Sequence, residues 1–432
     1  MEVRIEKLVY GGDGLAHHDG HTVFVPLVLP GELVQIESSA RKKKFIRGRL
    51  ERVMEPSAER VPAPCPHFGR CGGCQYQHMP YEAQLRYKAE ILRETLGRIG
   101  RIQWTGSIET QASPPFGYRN RAQWKLRPNQ EGAAGSAGIG YFEMGSTKLC
   151  AVTECTILSP RLADTFSRMR ELVSLGKILP TIDEIEAFAD SSDEKILLNL
   201  SAERLGDSPE AIAAALRDAV PNVESILIQD RRADTFHLAG PGYLTYTAGG
   251  AQYRVGHLSF FQVNRFMIEP LVDAVIGKTR GRLALDLFAG VGLFTVALTN
   301  QFERVIGVES NLAAAKDLET NLKQSGGSSP SSRNVTAEGF LSRWHETPDL
   351  VVIDPPRAGV ETETLAHLKK LAPTRIHYVS CDPATLARDL AQLVGTNSDS
   401  GSGPFEIESI NLFDIFPQTY HMEVLVRLRR RA

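Results

Sequence analysis

The stretch LALDLFAGVGLF (283–294) decides the fold. A short apolar run meets an acidic residue, Asp286, and breaks at a glycine turn before a second apolar stretch. Three later stretches repeat the pattern: RVIGVE (304–309), DLVVIDPPR (349–357) and RIHYVSCDP (375–383). Each is a short apolar run closed by polar residues, and helical stretches separate them. Strands alternating with helices predict a parallel α/β sheet. Ligands of such sheets bind beyond the carboxyl ends of the strands. At those ends the chain delivers a glycine loop, the carboxylate Glu309, the carboxylate Asp354 and the thiol Cys381.

The loop is G-x-G without the third glycine of a dinucleotide fingerprint, and on its own it is weak evidence. Glu309 strengthens it, because a carboxylate ending the next strand can accept both ribose hydroxyls of a nucleoside. The loop has no P-loop lysine, which excludes a triphosphate cradle. An adenosine cofactor lacking a pyrophosphate is expected, with S-adenosylmethionine the leading choice. The blander alternative is an ordinary turn beside a solvated Glu. Cys381 closes a strand just before Asp-Pro, which should open a helix. Most free cysteines are small buried hydrophobes. A thiol at a helix N-terminus is instead expected to have a stabilised thiolate, fit to act as a nucleophile.

Outward from this region, residues 1–56 read as short strands with Gly and Pro turns, a small β-barrel. Within it, Arg41, Lys42, Lys43, Lys44, Arg47 and Arg49 form a basic run. It is a solvated hairpin tip or a contact for RNA phosphates. Residues 57–250 read as a Cys/Pro-rich segment, a helix at 81–100 with Leu85, Ala89, Leu92 and Leu96 on one face, and a mostly β domain. That helix is expected to pack on the catalytic domain, 251–432. Residues 130–138 read as a Gly/Ala hairpin loop, and 324–334 and 396–404 as exposed low-complexity loops. The net charge of −2 excludes a polycation, so any nucleic-acid surface must be local. No apolar stretch is long enough for a membrane span and no signal-peptide core opens the chain, so a cytoplasmic protein is expected.

Cys65, Cys71 and Cys74 fall within ten residues, a metal or cluster spacing. Zinc and iron–sulfur both suit thiolate ligands. The fourth ligand is Cys150 or Cys155.

DLFAGVGLF, DPPR, SCDP and the terminal FPQTYHMEV (416–424), with FFQVN (260–264) and GYRNR (117–121), resemble the RNA (uracil-5-)-methyltransferases. The resemblance spans nearly the whole chain and is nearest to the 23S ribosomal RNA branch, although some transfer RNA enzymes share its parts. It implies a Rossmann-like S-adenosylmethionine-dependent domain, an N-terminal OB-like TRAM barrel and a mostly β central domain. It makes Cys381 the nucleophile that adds to uracil C6 and Glu423 the base that removes the C5 proton. His421 is a competing base, with an ordinary pKa better suited to the task. Cofactor contacts fall on Gln262, Phe288, Leu293 (through its backbone), Glu309 and Asp354. A [4Fe–4S] cluster falls on Cys65, Cys71, Cys74 and, through CTILSP (155–160), Cys155. RNA is then the expected partner, 23S ribosomal before transfer RNA, with neither DNA nor membrane. The rivals are a cytosine-5 methyltransferase, an exocyclic-amine methyltransferase and a non-catalytic RNA-binding assembly factor. The lack of a second Pro-Cys nucleophile disfavours the first, and Arg357 after Pro356 disfavours the second. The intact Cys381, Glu309 and Asp354 disfavour the third.

Overall fold

The computed structural model describes residues 1–41, 44–128, 137–177, 181–206, 208–326, 330–396 and 403–432, and all counts are of these. Its largest sheet has eight strands. Their order is Pro330–Asn334, Phe302–Glu309, Gly281–Leu287, Leu350–Ile353, Arg375–Ser380, Glu423–Arg430, Phe405–Phe413 and Ile108–Gln111. The first five are parallel. Glu423–Arg430 is antiparallel to both its neighbours. From the central strand Gly281–Leu287 the chain steps outward one way, then returns to lay Leu350–Ile353 on the other side. That reversal opens a crevice beyond the ends of these two strands, the preferred ligand site of open α/β sheets.

The strands are apolar on both faces because both faces are covered. Leu283, Leu285 and Leu287 share a core with Leu92 and Leu96 of the helix Tyr81–Gly100 and with Leu386 and Leu390 of the helix Pro383–Val394. Ala284 and Val352 pack on the opposite side with Leu271 and Val275 of the helix Ile268–Ile276.

Residues 1–55 form a separate six-stranded sheet around Val3, Ile5, Val23, Val25, Val34 and Ile36. The central unit is a seven-stranded sheet from Arg121 to Ala239. One face of it packs on the helices Pro160–Ser174 and Pro209–Ala219.

The structure differs from the sequence reading in several places. Pro330–Asn334, read as part of the loop 324–334, forms the edge strand beside Phe302–Glu309. Backbone pairing needs no apolar side chain there, so composition did not reveal it. Of the segment 130–138, residues 130–136 lie outside the described residues, and Ala137 and Gly138 open the strand Ala137–Phe142 instead of ending the loop; of 396–404, residues 397–402 lie outside the described residues. Ile108–Gln111 comes from the segment read as the central domain, yet it completes the catalytic sheet. The helix Tyr81–Gly100 buries Gln84 and Lys88 more deeply than Leu85 and Ala89. Lys88 is fully enclosed with Asp414 at 2.6 Å, and its ammonium also donates to the Phe416 carbonyl.

Candidate active site

The glycine loop takes its shape from left-handed backbone. Gly290 and Gly292 have φ of +55° and +93°, and a Cβ on Gly292 would lie 2.6 Å from Leu318 Cδ1. Phe288 adopts φ +65° without being glycine, the kind of strain that gathers at functional sites. Glu309 fixes the loop: its Oε2 accepts from the Gly290 amide at 2.8 Å and its Oε1 from the Asn311 amide at 2.6 Å. A carboxylate oxygen offers two lone pairs, so both oxygens keep one for a further donor. Leu293 opens the next helix, and its carbonyl accepts from Tyr253. Gln262 is buried.

Asp286 and Asp354 follow from the same crevice. Burial pushes both carboxyls up to about 7. For Asp286, the negative charges of Asp354 and Glu309 add to the effect, against a hydrogen bond donated by Thr295. Asp286 Oδ1 is buried and has no hydrogen-bond partner among the described residues. An anionic, under-satisfied pocket of this kind favours a cation with N–H or O–H donors.

Cys381 ends the strand Arg375–Ser380, and Asp382 caps the following helix by accepting from the Ala384 and Thr385 amides. The thiol is half-buried. Its environment corrects the expectation of a stabilised thiolate. Burial pushes it up to about 12, and the carboxylates of Glu423 and Asp354 push the same way, while Arg357 pulls it down. The helix end helps a thiolate, but burial between two carboxylates outweighs it.

Glu423 opens the strand Glu423–Arg430 and is only 4% exposed. Burial and Asp354 hold its carboxyl well above the ordinary range, opposed by Arg357. His421 moves the other way: burial and the nearby cations Arg357, Lys88 and Arg119 lower it to about 4. His421 is therefore neutral and weakly basic, with Nδ1 3.5 Å from an Arg357 nitrogen. Once ionised, Glu423 is the stronger base of the two. The crevice thus gathers Phe288, Glu309, Asp354, Cys381 and Glu423.

Two contributions were invisible in the sequence. Tyr10, from the N-terminal barrel, reaches the Cys381 carbonyl at 3.4 Å and meets Tyr420 edge to face. The segment leading to Glu423 is clamped at Gln418, another left-handed non-glycine residue. Gln418 exchanges two hydrogen bonds with the Gln84 side chain, and its carbonyl accepts from the Gln75 and Tyr76 amides. The backbone next to Cys74 is therefore tied directly to the loop before Glu423.

Cys65, Cys71, Cys74 and Cys155 line one cavity of about 320 Å³, which extends to Arg357 and His421. Burial pushes Cys71 and Cys74 up to about 12, and the neighbouring thiols add to it. Cys150 is buried in the central core, outside the cavity lining. Among the described residues, no three or more His, Cys, Asp or Glu side chains are grouped to hold a metal ion. Of the basic run, Arg47 lies 3.5 Å from Asp13 and Arg49 pairs with Glu37. Lys42 and Lys43 lie outside the described residues. No helix among the described residues is long and apolar enough to cross a membrane.

A parallel sheet with a glycine loop and a ribose-type carboxylate at its switch point defines a methyltransferase domain of the Rossmann-like class, here carrying an N-terminal barrel. Comparison with known proteins places it more closely. The tRNA (Uracil-5-)-methyltransferase model matches residues 342–431, and the TRAM domain model matches residues 1–50. An uncharacterized RNA methyltransferase of Aquifex aeolicus is 34% identical, over 99% of this chain and 98% of its own. The 23S rRNA (uracil(1939)-C(5))-methyltransferase RlmD of Shewanella halifaxensis is 30% identical, over 98% of this chain and 94% of its own. The fold matches that of the Pyrococcus abyssi tRNA (uracil-54, C5)-methyltransferase, solved with S-adenosyl-L-homocysteine. Its TM-score is 0.77 at 24% identity, covering 99% of this chain and 100% of that one. The chain belongs to the RNA (uracil-5-)-methyltransferase family.

Proposed function

We propose that this enzyme methylates C5 of a uridine in 23S ribosomal RNA, with S-adenosylmethionine as methyl donor and Cys381 as covalent nucleophile. The observation that carries the proposal is the convergence of Cys381, Glu423 and Asp354 beside the glycine loop. The 23S assignment rests on the RlmD relatives.

Uracil C5 is a poor nucleophile. The Cys381 thiol gives up its proton to water and adds to C6 as the thiolate, and the electron pair of the C5–C6 bond moves into an enolate. C5 then attacks the methyl group, whose bond to the donor sulfur breaks to leave S-adenosylhomocysteine. Glu423 takes the C5 proton, the C5–C6 double bond re-forms and the thiolate leaves. One difficult substitution becomes two easier steps. Glu309 would accept from the ribose hydroxyls. Gln262, Phe288, Asp354 and the Leu293 backbone would complete the donor site, with Asp354 close to the sulfonium.

Cys65, Cys71, Cys74 and Cys155 suit a [4Fe–4S] cluster. Four thiols around one cavity match its need for four thiolates, and a cubane spreads its ligands further apart than a single ion does. The tie from Gln75 and Tyr76 to Gln418 argues that these cysteines position the loop before Glu423 and take no part in turnover. Anaerobically prepared protein should be brown, and Cys65→Ser should bleach it. Stoichiometric zinc without iron would refute the cluster.

The test of function is to map 5-methyluridine in 23S RNA from a strain lacking the gene. One site should lose its methyl group, regaining it with the wild-type gene but not with Cys381→Ala. Loss confined to transfer RNA would refute the 23S assignment.

A further inference from the structure

The central sheet has a face that the chemistry above leaves unused. Over 122–124, 185–187, 198–200 and 226–228 its strands alternate. Ala122, Trp124, Ile185, Ala187, Leu198, Leu200, Ile226 and Ile228 point into the core against the helices. The residues between them point the other way and floor a groove of about 480 Å³. Over this floor sits the loop 257–260, just before Gln262, with Phe260 67% and Leu258 58% exposed. Phe236 lines the groove as well, 49% exposed. Large apolar side chains this exposed, flanking a polar floor, mark a binding surface.

The floor is polar without being strongly charged. Arg121 pairs with Glu186 at 2.6 Å and donates to the Ser259 carbonyl, which fixes the loop carrying Phe260. Asn199 donates to Glu186 and to the His257 carbonyl, holding the same loop from below. Lys125 neutralises Glu184. Gln123 donates its amide nitrogen to Glu184, and Gln229 accepts from the Ser201 hydroxyl at 3.4 Å. With these groups paired, the floor offers the Gln123 amide oxygen and the Gln229 amide nitrogen, an acceptor and a donor of the kind that read the edge of a base. Arg119 and Gln123 line both this groove and the cavity that reaches Arg357 and His421, so the two spaces adjoin.

We propose that the groove is a subsite for one unstacked nucleobase of the substrate RNA, a neighbour of the target uridine. The base stacks on Phe260 and is read by Gln229 and Gln123. Sequence-specific proteins recognise single-stranded RNA in this way, by aromatic stacking with hydrogen bonds to base edges. The proposal rests on the uridine-methylation reading and adds to it a source of sequence selectivity.

The experiment uses the full-length enzyme, a hairpin transcript carrying the target uridine, and Phe260→Ala, Phe260→Trp and Gln229→Ala. Phe260→Ala should raise KM for RNA roughly ten- to a hundredfold, the range lost with one base–aromatic stack. Its affinity for S-adenosylmethionine and its kcat should stay near wild type, and Phe260→Trp should restore KM. Single-base changes around the uridine should reveal one position where wild type discriminates and Gln229→Ala does not. RNA substituted with 4-thiouridine should crosslink within residues 227–260. Unchanged KM in Phe260→Ala, or crosslinks only elsewhere, would overturn the proposal. So would loss of a bound protein with RNA KM intact, which would make the groove a protein-docking face. Crosslinking needs no methyl transfer, so crosslinks at 227–260 in an enzyme that methylates no uridine would refute the methylation reading alone.

Discussion

Exchanging S-adenosylmethionine for S-adenosylhomocysteine removes a methyl group and one positive charge, and the crevice should register that charge as protons. Asp286 and Asp354 both sit near 7, chiefly because burial disfavours their charged forms. At pH 7 each then holds about half a proton. A sulfonium about 5 Å away, acting through an effective dielectric of about 20, is worth roughly 3 kcal/mol, or about two pKa units. Both groups would then be almost fully ionised. Donor binding at pH 7 should release close to one proton more than product binding does. Titration calorimetry in phosphate and in Tris, at the same pH, reads this from the dependence of binding enthalpy on buffer ionisation. The sign carries into affinity. A protonated carboxyl attracts no cation, so the preference for donor over product should grow from pH 6 to pH 8. Equal proton release for the two ligands, or a preference that falls over that range, would refute the placing of the sulfonium among these carboxylates.

Glu423→Gln should still form the Cys381 adduct but keep it, because the C5 proton stays in place; on denaturing gels, RNA-linked protein should persist with ordinary uridine RNA. Rapid normal turnover would remove Glu423 as the base. Gly292→Ala combines a left-handed φ with a Cβ 2.6 Å from Leu318; it should cost about 1–3 kcal/mol in denaturant unfolding and weaken donor binding. Lys88→Met leaves Asp414 buried and unpaired, and should cost about 3–5 kcal/mol. Adding Asp414→Leu should recover much of that loss, and a double variant no better than the single one would show that the ion pair is not the cause.

The parts of the site carried by chain-local pattern could be read in advance. Apolar runs closed by Asp286, Glu309, Asp354 and Cys381 marked strand ends, and the topology of parallel sheets puts such ends on one rim. The Gly290–Glu309 hydrogen bond spans nineteen residues, yet it follows from two adjacent strands of that sheet. What escaped the sequence depends on long-range packing. Tyr10 meets Cys381 across 371 residues. Gln84 meets Gln418 across 334. Neither has a local signature. The Cys381 thiol shows how a local rule can lose. The helix N-terminus predicted a stabilised thiolate, whereas the fold surrounds the thiol with buried carboxylates that only the tertiary structure brings together. Glu423 was placed only by the family resemblance, and its burial comes from strands on both sides of it.

The most direct measurement is the intact mass of the enzyme after reaction with S-adenosylmethionine and RNA carrying 5-fluorouridine at the target position. Fluorine at C5 cannot leave as a proton does, so the covalent species should accumulate. The expected product is protein plus methylated RNA, with digestion placing the link on Cys381 and no product from Cys381→Ala. Methyl transfer without a covalent species, or a link to any other residue, would contradict the account.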